Sequence, residues 1–176
     1  TFTIAFPRSP MVLAMEAWDI QHVSKGRFTI GLGTLVKGHN INRFSTEWPA
    51  APAPRIKEYI TMMRAVWKSF QTGEKPDYAG KYYHYTLMTP AFNPGPIDYP
   101  APKIGLGCVG DGMSRVAGEV ADVVMPHGFM TDKYMRDVLL PNVAIGLKRG
   151  GRTWSDIEVT GGGFTVFGET DSEIEQ

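Results

Sequence analysis

Apolar and polar residues along the chain follow two rhythms that alternate. Short apolar and β-branched runs predict five strands; they cover residues 1–6, 27–33, 103–107, 123–126 and 157–167, the last with three glycines at its centre. Apolar residues spaced three and four apart lie between these runs and predict helices. Strands that alternate with helices indicate a parallel sheet with helices packed outside it.

Residues that begin or end helices set the helix boundaries. Ser9 followed by Pro10 predicts a helix start, and Gly26 predicts its end. A polar loop over residues 34–53 precedes the longest apolar stripe, which predicts a helix over residues 56–70.

The second half contains two further predicted helices. One begins at Asp111 or Gly112, and the other runs from a Thr131 cap to Lys148. Pro141 lies inside that second helix and should kink or split it.

Residues 77–102 interrupt the alternation and are predicted to be an insertion. An aromatic run with Gly80 and Lys81 at its middle predicts a small hairpin, and a proline-rich segment follows it. Five strands fit either an open doubly wound sheet or part of an eight-stranded barrel. The chain starts inside a strand-like run, and Thr170 and Glu173 have the spacing of a helix cap close to its end. We therefore predict one incomplete domain over residues 1–176, an internal fragment of a longer chain.

The tetrapeptide Ile-Gly-Leu-Gly occurs twice, at residues 30–33 and 104–107. With Gly110, the second copy also spells the G-x-G-x-x-G of dinucleotide-binding turns. That interpretation is weak, because the glycines lie within the strand and the next strand ends in His127 instead of an acid. Glycines at neighbouring strand ends could instead clear space for a flat ring at a barrel mouth, or relieve crowding between helix and strand.

Residues 108–113 join a predicted strand end to a predicted helix start. Free N–H groups and the helix dipole there favour an anion, and Gly110 and Gly112 would allow a phosphate close to the backbone. An ordinary turn in which Asp111 caps the helix is the alternative, and its carboxylate would compete for those N–H groups.

Composition narrows the class of ligand. The 176 residues include 18 basic and 18 acidic side chains, which gives no charge excess for nucleic acid or a membrane surface. No apolar run approaches the roughly 20 residues of a membrane helix, and Cys108, the only cysteine, suits a cytoplasmic protein and a small buried hydrophobe. No spacing of His, Cys or acidic residues predicts a metal site.

His39 and His127 are the candidates for catalysis. Each follows a predicted strand, which in a parallel barrel places it at the mouth, and imidazole is the side chain that most often serves in general acid–base catalysis. Either histidine could donate a hydrogen bond to a ring or substrate oxygen, or be merely solvated or bound to a backbone carbonyl.

Four segments together resemble the luciferase-like monooxygenase superfamily, most closely its deazaflavin (coenzyme F420) dependent branch. They are AFPRSPMVLAMEAWDIQ, GRFTIGLGT, YITMMRAVWKSF with GKYYHY, and PKIGLGCVGDGMSRVAGEVAD. The resemblance implies a (β/α)8 barrel of which this chain holds about the third to seventh strands. It implies coenzyme F420, with FMN as the alternative.

The resemblance also implies which residues contact the cofactor. Its phosphate-binding turn would be Val109, Gly110, Asp111 and Gly112, and its ring-facing residues would include Ala5, Phe6, Gly33 and Thr34. Val36 stands where the sugar-phosphate dehydrogenases of the superfamily carry a catalytic glutamate, so this chain is not expected to be that dehydrogenase.

We therefore expect an oxidoreductase that uses reduced deazaflavin or flavin for hydride transfer or monooxygenation of a small organic substrate. The full-length protein could form a homodimer. A noncatalytic barrel that binds the same cofactor is the alternative, and an NAD-dependent dehydrogenase is a weaker one.

Overall fold

The computed structural model describes residues 2–163 and 167–170. Five parallel strands form the main sheet in the order β1-β2-β5-β6-β7, and β3 and β4 form a separate antiparallel pair. The strands are β1 Phe2–Ile4, β2 Thr29–Gly33, β3 Tyr78–Ala79, β4 His84–Tyr85, β5 Lys103–Cys108, β6 Val123–Pro126 and β7 Glu158–Val159.

Each strand of the main sheet lies beside the one that precedes it in that sheet along the chain. A doubly wound sheet would reverse this order at a switch point. The described strands show no such reversal, so the sheet is part of a (β/α)8 barrel, as predicted, and the dinucleotide-binding alternative is wrong at the level of fold.

Helices connect the parallel strands. They are α1 Pro10–Val23, α2 Lys37–Phe44, α3 Pro52–Thr72, α4 Asp111–Val120, α5 Asp132–Tyr134 and α6 Leu140–Arg149, with a π-helical segment Met135–Leu139 joining α5 to α6. The Ser9 hydroxyl accepts a hydrogen bond from the Met11 N–H at 3.2 Å, which confirms the predicted cap of α1. Thr131 caps α5 in the same way through the Tyr134 N–H, and the irregular turn ahead of Pro141 confirms the predicted break.

One face of the sheet packs against the helices and carries the core. Ile30, Leu32, Ile104, Leu106 and Val124 are at most 5% exposed and join the main cluster. They alternate with glycines on β2 and β5, so the glycines face the opposite, inner side of the sheet.

The helices α4 and α6 pack backbone to backbone through three glycines. A Cβ atom on Gly118 would overlap the Val143 carbonyl oxygen, and one on Gly146 would overlap that of Arg115. A Cβ on Gly150 would lie 2.6 Å from the Glu119 carbonyl oxygen. This contact therefore requires the absence of side chains at all three positions.

Two predictions about elements need correction. Residues 34–53 are not a loop throughout, because α2 occupies Lys37–Phe44; its one buried residue is polar, Asn40, so no apolar stripe revealed it. The last strand is described only over Glu158–Val159, with Thr160 continuing the ladder through its N–H to the Val124 carbonyl at 3.0 Å. Its exposed glycines 161–163 lie outside the strand, and residues 164–166 lie outside the described part.

The aromatic hairpin is confirmed by the antiparallel pairing of Tyr78 with Tyr85 and of Ala79 with His84. Ala5 and Phe6 were predicted to end the first strand but form the turn that follows β1. None of the described helices is long and apolar enough to span a membrane.

Candidate functional site

The two Ile-Gly-Leu-Gly segments lie side by side in the sheet. Their strands, β2 and β5, run parallel, and Ile30, Gly31 and Leu32 pair with Ile104, Gly105 and Leu106 in turn. Both segments therefore point their carboxyl ends to the same edge of the sheet. This is the arrangement that a ligand across a barrel mouth requires.

The space beside the second pair of glycines is partly filled by two apolar side chains. A Cβ atom on Gly107 would lie 3.0 Å from Cε1 of Phe2, and one on Gly105 would lie 2.6 Å from Sδ of Met125. Phe2 extends from the edge strand β1 and is 55% exposed. The glycines thus let large neighbours lie across the inner face, and they leave an apolar floor beneath whatever occupies the mouth.

The residues after β1 are covered by aromatic contacts. Ala5 is fully buried, and the ring of Phe6 is 4% exposed. Trp48 packs edge-on against Phe6 at 5.8 Å between centroids, and the Arg55 guanidinium lies 4.6 Å from the Phe6 centroid. Arg55 also donates to the Tyr83 hydroxyl at 2.9 Å, which ties this strand end to the hairpin. Phe6 therefore lies beneath the surface of the barrel mouth and supports it by packing.

The residues after β2 turn sharply into α2. Gly33 and Thr34 are half-buried at the strand end, and a Cβ atom on Gly33 would approach nothing closer than Cδ1 of Phe2 at 3.8 Å. His39 is exposed on α2. Asn40, the next residue, is fully buried, and sequence reasoning missed it because it lies in a polar stretch with no periodicity.

The turn after β5 leaves backbone N–H groups of α4 unpaired. The first bond of the helix runs from the Ser114 N–H to the Gly110 carbonyl at 3.0 Å, so the Asp111, Gly112 and Met113 N–H groups have no acceptor within the helix. No side chain caps this end. The Asp111 carboxylate lies 3.5 Å from the Arg115 guanidinium instead, so it does not compete for those groups.

Space is open at this turn. A Cβ atom on Gly110 would meet nothing within 4 Å, and one on Gly112 would make only an ordinary contact with Ala53 at 3.4 Å. Val109 is 53% exposed. The turn thus offers N–H groups, helix dipole and clearance together, as an anion site requires.

The segment after β6 carries the second candidate histidine. The His127 ring stacks on Phe129 at 5.2 Å, and its Nδ1 accepts a hydrogen bond from the Phe129 N–H at 3.2 Å. A neutral imidazole that accepts at Nδ1 carries its proton on Nε2, so Nε2 remains a donor. Tyr134 further along donates its hydroxyl to the Val109 carbonyl at 3.1 Å and joins this segment to the α4 turn.

Cys108 closes β5 on the helix side of the sheet and is 2% exposed. Burial raises the pKa of its thiol to about 11, and hydrogen bonds with the Ser114 hydroxyl and the Met125 main chain offset only part of that effect. A thiol in this state is a poor nucleophile. Its predicted role as a small buried hydrophobe is therefore supported.

The structure gathers the predicted residues at one edge of the sheet. Three parallel strand ends, β2, β5 and β6, present Thr34, the Gly110 turn and His127 in that order. His39 and His127 follow strands two places apart, which is roughly 10 Å at ordinary strand spacing. No group of three His, Cys, Asp or Glu residues among the described positions could hold a metal ion.

Comparison with known proteins decides the family. The family model of the luciferase-like monooxygenases matches residues 1–176, the whole chain. This chain belongs to the luciferase-like monooxygenase family. The resemblance carried by the four sequence segments is thereby confirmed, and so is the barrel that it implied.

Individual relatives agree with this family assignment. A Mycobacterium tuberculosis protein, Uncharacterized protein Rv1360, is 39% identical over 171 residues, which is 97% of this chain and 50% of that protein. An F420-dependent glucose-6-phosphate dehydrogenase of Microbacterium testaceum is 30% identical over 162 residues, 89% of this chain and 44% of the relative. The chain thus spans about half the length of these relatives.

A solved structure supports the fold independently. An F420-dependent secondary alcohol dehydrogenase, in complex with an F420-acetone adduct, superimposes with a TM-score of 0.77 at 18% identity. The match covers 91% of this chain and 47% of the dehydrogenase. Family and fold together make the chain part of an oxidoreductase family with F420-dependent members.

Proposed function

We propose that the full-length protein is an oxidoreductase that binds coenzyme F420 across the carboxyl ends of β2, β5 and β6. The observation that carries the proposal is the in-register pairing of the two Ile-Gly-Leu-Gly segments beside the uncapped start of α4. A flat heterocycle needs strand ends without bulky side chains, and its phosphate needs unpaired N–H groups within reach. Both features lie at the same edge of the sheet.

The phosphate of the cofactor would bind the turn formed by Val109, Gly110, Asp111 and Gly112. This assignment uses the free N–H groups of α4 and the open space at Gly110, and it requires no basic side chain. Arg115 holds the Asp111 carboxylate by an ion pair of 3.5 Å and so limits repulsion of the incoming anion.

The ring would lie over Gly33 and Thr34, on the apolar floor made by Phe2 and Met125. Phe6 and Ala5, which were predicted to face the ring, are buried beneath Trp48 and Arg55 and would support the floor. Bound deazaflavin supplies hydride chemistry, and the protein supplies orientation and the exclusion of water. His127, with a proton on Nε2, and the exposed His39 are the proposed donors to the small organic substrate.

F420 is preferred to FMN because the named relative with 30% identity is F420-dependent. The substrate differs from that of this relative in our proposal, because Val36 provides no carboxylate at the position where the sequence resemblance expects a glutamate. Val36 instead precedes α2 as its cap residue and is 61% exposed. A barrel that binds cofactor without turnover is the second candidate, and this missing carboxylate is the observation that favours it.

The decisive experiment is a Gly110→Val substitution in the full-length protein. Gly110 has a φ of −88° and ψ of 168°, an extended conformation that valine adopts readily, so the fold should be unaffected. The branched side chain would occupy the space assigned to the phosphate. We expect at least a tenfold loss of F420 affinity, about 1.4 kcal/mol, measured by fluorescence titration.

Ala101→Val is the matched control, because it adds bulk at an exposed position before the opposite end of the same strand. It should leave the affinity unchanged. Equal affinity of the Gly110→Val protein and the parent would remove the phosphate from this turn. Titration with FMN in place of F420 separates the two cofactors, and turnover of the reduced cofactor separates an enzyme from a noncatalytic binder.

A further inference from the structure

The segment between β2 and α3 contains an unusual concentration of strained backbone. Leu35 has a φ of 57° and lies just before Val36, the residue that precedes α2, and Ser45 has a φ of 50° and follows the last residue of α2. Lys25 is the only other non-glycine residue with a positive φ among the described positions. Left-handed conformations of this kind cost about 1–3 kcal/mol each and persist where the surroundings enforce them.

Asn40 holds both strained ends. Its side-chain Nδ2 donates to the Thr34 carbonyl at 2.9 Å and to the Val36 carbonyl at 3.1 Å, so it brackets Leu35. Its main-chain carbonyl accepts from the N–H groups of Ser45 and of Thr46, the latter at 2.9 Å. One residue thus closes the turn that enters α2 and the turn that leaves it.

The remaining polar atom of Asn40 has no partner. Its Oδ1 is buried without a hydrogen bond, one of three such side-chain atoms in the described residues. Leaving a buried acceptor unpaired costs about 1–3 kcal/mol. The orientation of the amide is nevertheless fixed, because only the NH2 group can donate to two carbonyls.

Gln21 is a second buried amide, and it provides the comparison because its hydrogen bonds serve only the fold. It lies before the opposite end of β2 and is 2% exposed. Its Oε1 accepts from the Phe28 N–H at 2.9 Å, and its Nε2 donates to the Pro100 carbonyl at 2.7 Å. Gln21 therefore satisfies both ends of its amide, whereas Asn40 satisfies one end and keeps two strained residues in place.

We infer that Asn40 is a positioning residue for the bound ligand: it fixes Thr34 at the end of β2 and places α2, which carries His39, at the mouth. The inference rests on the proposed function, because it assigns the purpose of the strained turn to the ligand above Thr34. The segment between β2 and α3 contains two residues with strained backbone and one buried polar atom without a partner. A connection between a strand and a helix does not require these features. The physical reason to retain them is that they fix the Thr34 carbonyl and the start of α2 in a single arrangement.

The test compares Asn40→Ala with Gln21→Ala in the full-length protein. Each removes a buried amide with two or more hydrogen bonds, so both should lower the Tm. Only Asn40→Ala should weaken F420 binding, by at least fivefold in a fluorescence titration. Hydrogen exchange should accelerate at the main-chain N–H of residue 40, which donates to the Val36 carbonyl at 3.2 Å, because this variant loses the two side-chain bonds that hold the same turn. Gln21→Ala should leave this N–H protected.

The possible outcomes separate the inference from the function. Equal changes of F420 affinity in the two variants, or an unchanged affinity in Asn40→Ala with faster exchange at the N–H of residue 40, would reduce Asn40 to a structural residue. Binding of neither F420 nor FMN by the parent protein would overturn the proposed function and this inference with it. If Asn40→Ala fails to fold, Asn40→Ser is used, which is smaller than asparagine and keeps one donor for the Thr34 or Val36 carbonyl.

Discussion

Glycine serves opposite purposes at the two ends of α4. Near the carboxyl end, Gly118 packs against α6 so closely that any side chain would strike backbone. At the amino end, Gly110 faces open space, and a side chain there would touch nothing. Packing explains the first glycine completely, and it gives no reason for the second. The difference separates a glycine that helix packing requires from one that helix packing does not require.

The glycines of β5 stand between these extremes. A side chain at Gly105 would meet the end of Met125, and one at Gly107 would meet the ring of Phe2 first, with the Leu32 carbonyl oxygen at an ordinary contact distance of 3.4 Å. On the inner face of the sheet the nearest neighbours of these glycines are therefore side chains that can move, whereas the nearest neighbours of Gly118 and Gly146 are backbone atoms. Three predictions test this comparison.

The largest expected effect is at the rigid contact. Gly146→Ala would drive a methyl group into the Arg115 carbonyl and force α4 and α6 apart. We expect a loss of about 3 kcal/mol in the free energy of unfolding, measured by urea denaturation. Gly110→Ala is the comparison and should change stability by less than about 0.5 kcal/mol. Similar losses in the two variants would show that both glycines serve packing.

The next effect concerns Cys108, which adjoins Gly107 but faces the helices. Burial holds the pKa of its thiol at about 11 against an ordinary 9.0, so the folded state favours the neutral thiol. This contribution is complete below pH 9 and is lost as pH rises from 9 through 11, because the unfolded thiol ionises first. A difference of two pKa units amounts to about 2.7 kcal/mol.

Unfolding measured between pH 8 and pH 11 checks this, with Cys108→Ala as the control. The stability of the parent should fall more steeply with pH than that of the variant. Identical slopes would place the thiol in water, on the inner side of the strand. At pH 8 the folded parent should also react with iodoacetamide far more slowly than the unfolded protein.

The smallest effect is expected at Ser45, where the left-handed backbone favours glycine but the sequence has serine. Ser45→Gly would relieve the left-handed conformation after α2 and raise stability by about 0.5–1 kcal/mol, seen as a higher Tm. Because the Asn40 carbonyl still accepts from the N–H groups of residues 45 and 46, F420 affinity should stay within twofold. A lower Tm would mean that the Ser45 side chain contributes contacts that outweigh the strain.

Much of the fold could be predicted from local signals. Ser9 with Pro10, the stripe over residues 56–70 and Thr131 with Pro141 each act within a few residues, and each marked its helix. The turn at Gly110 was also foreseen, since a strand followed by glycines and a helix start is a local pattern. The short helix α2 was missed because its buried residue is an asparagine with distant partners, which no periodicity reveals.

The sequence by itself determined the alternation of strands and helices in the main sheet, the aromatic hairpin and the repeat of Ile-Gly-Leu-Gly, because spacing and turn chemistry are properties of neighbouring residues. Only the tertiary structure decided that the two repeats pair in register, that Phe2 and Met125 lie across their glycines, and that Phe6 turns beneath Trp48. Those facts depend on contacts between residues far apart in the chain, whose geometry is fixed when the sheet and its helices pack together.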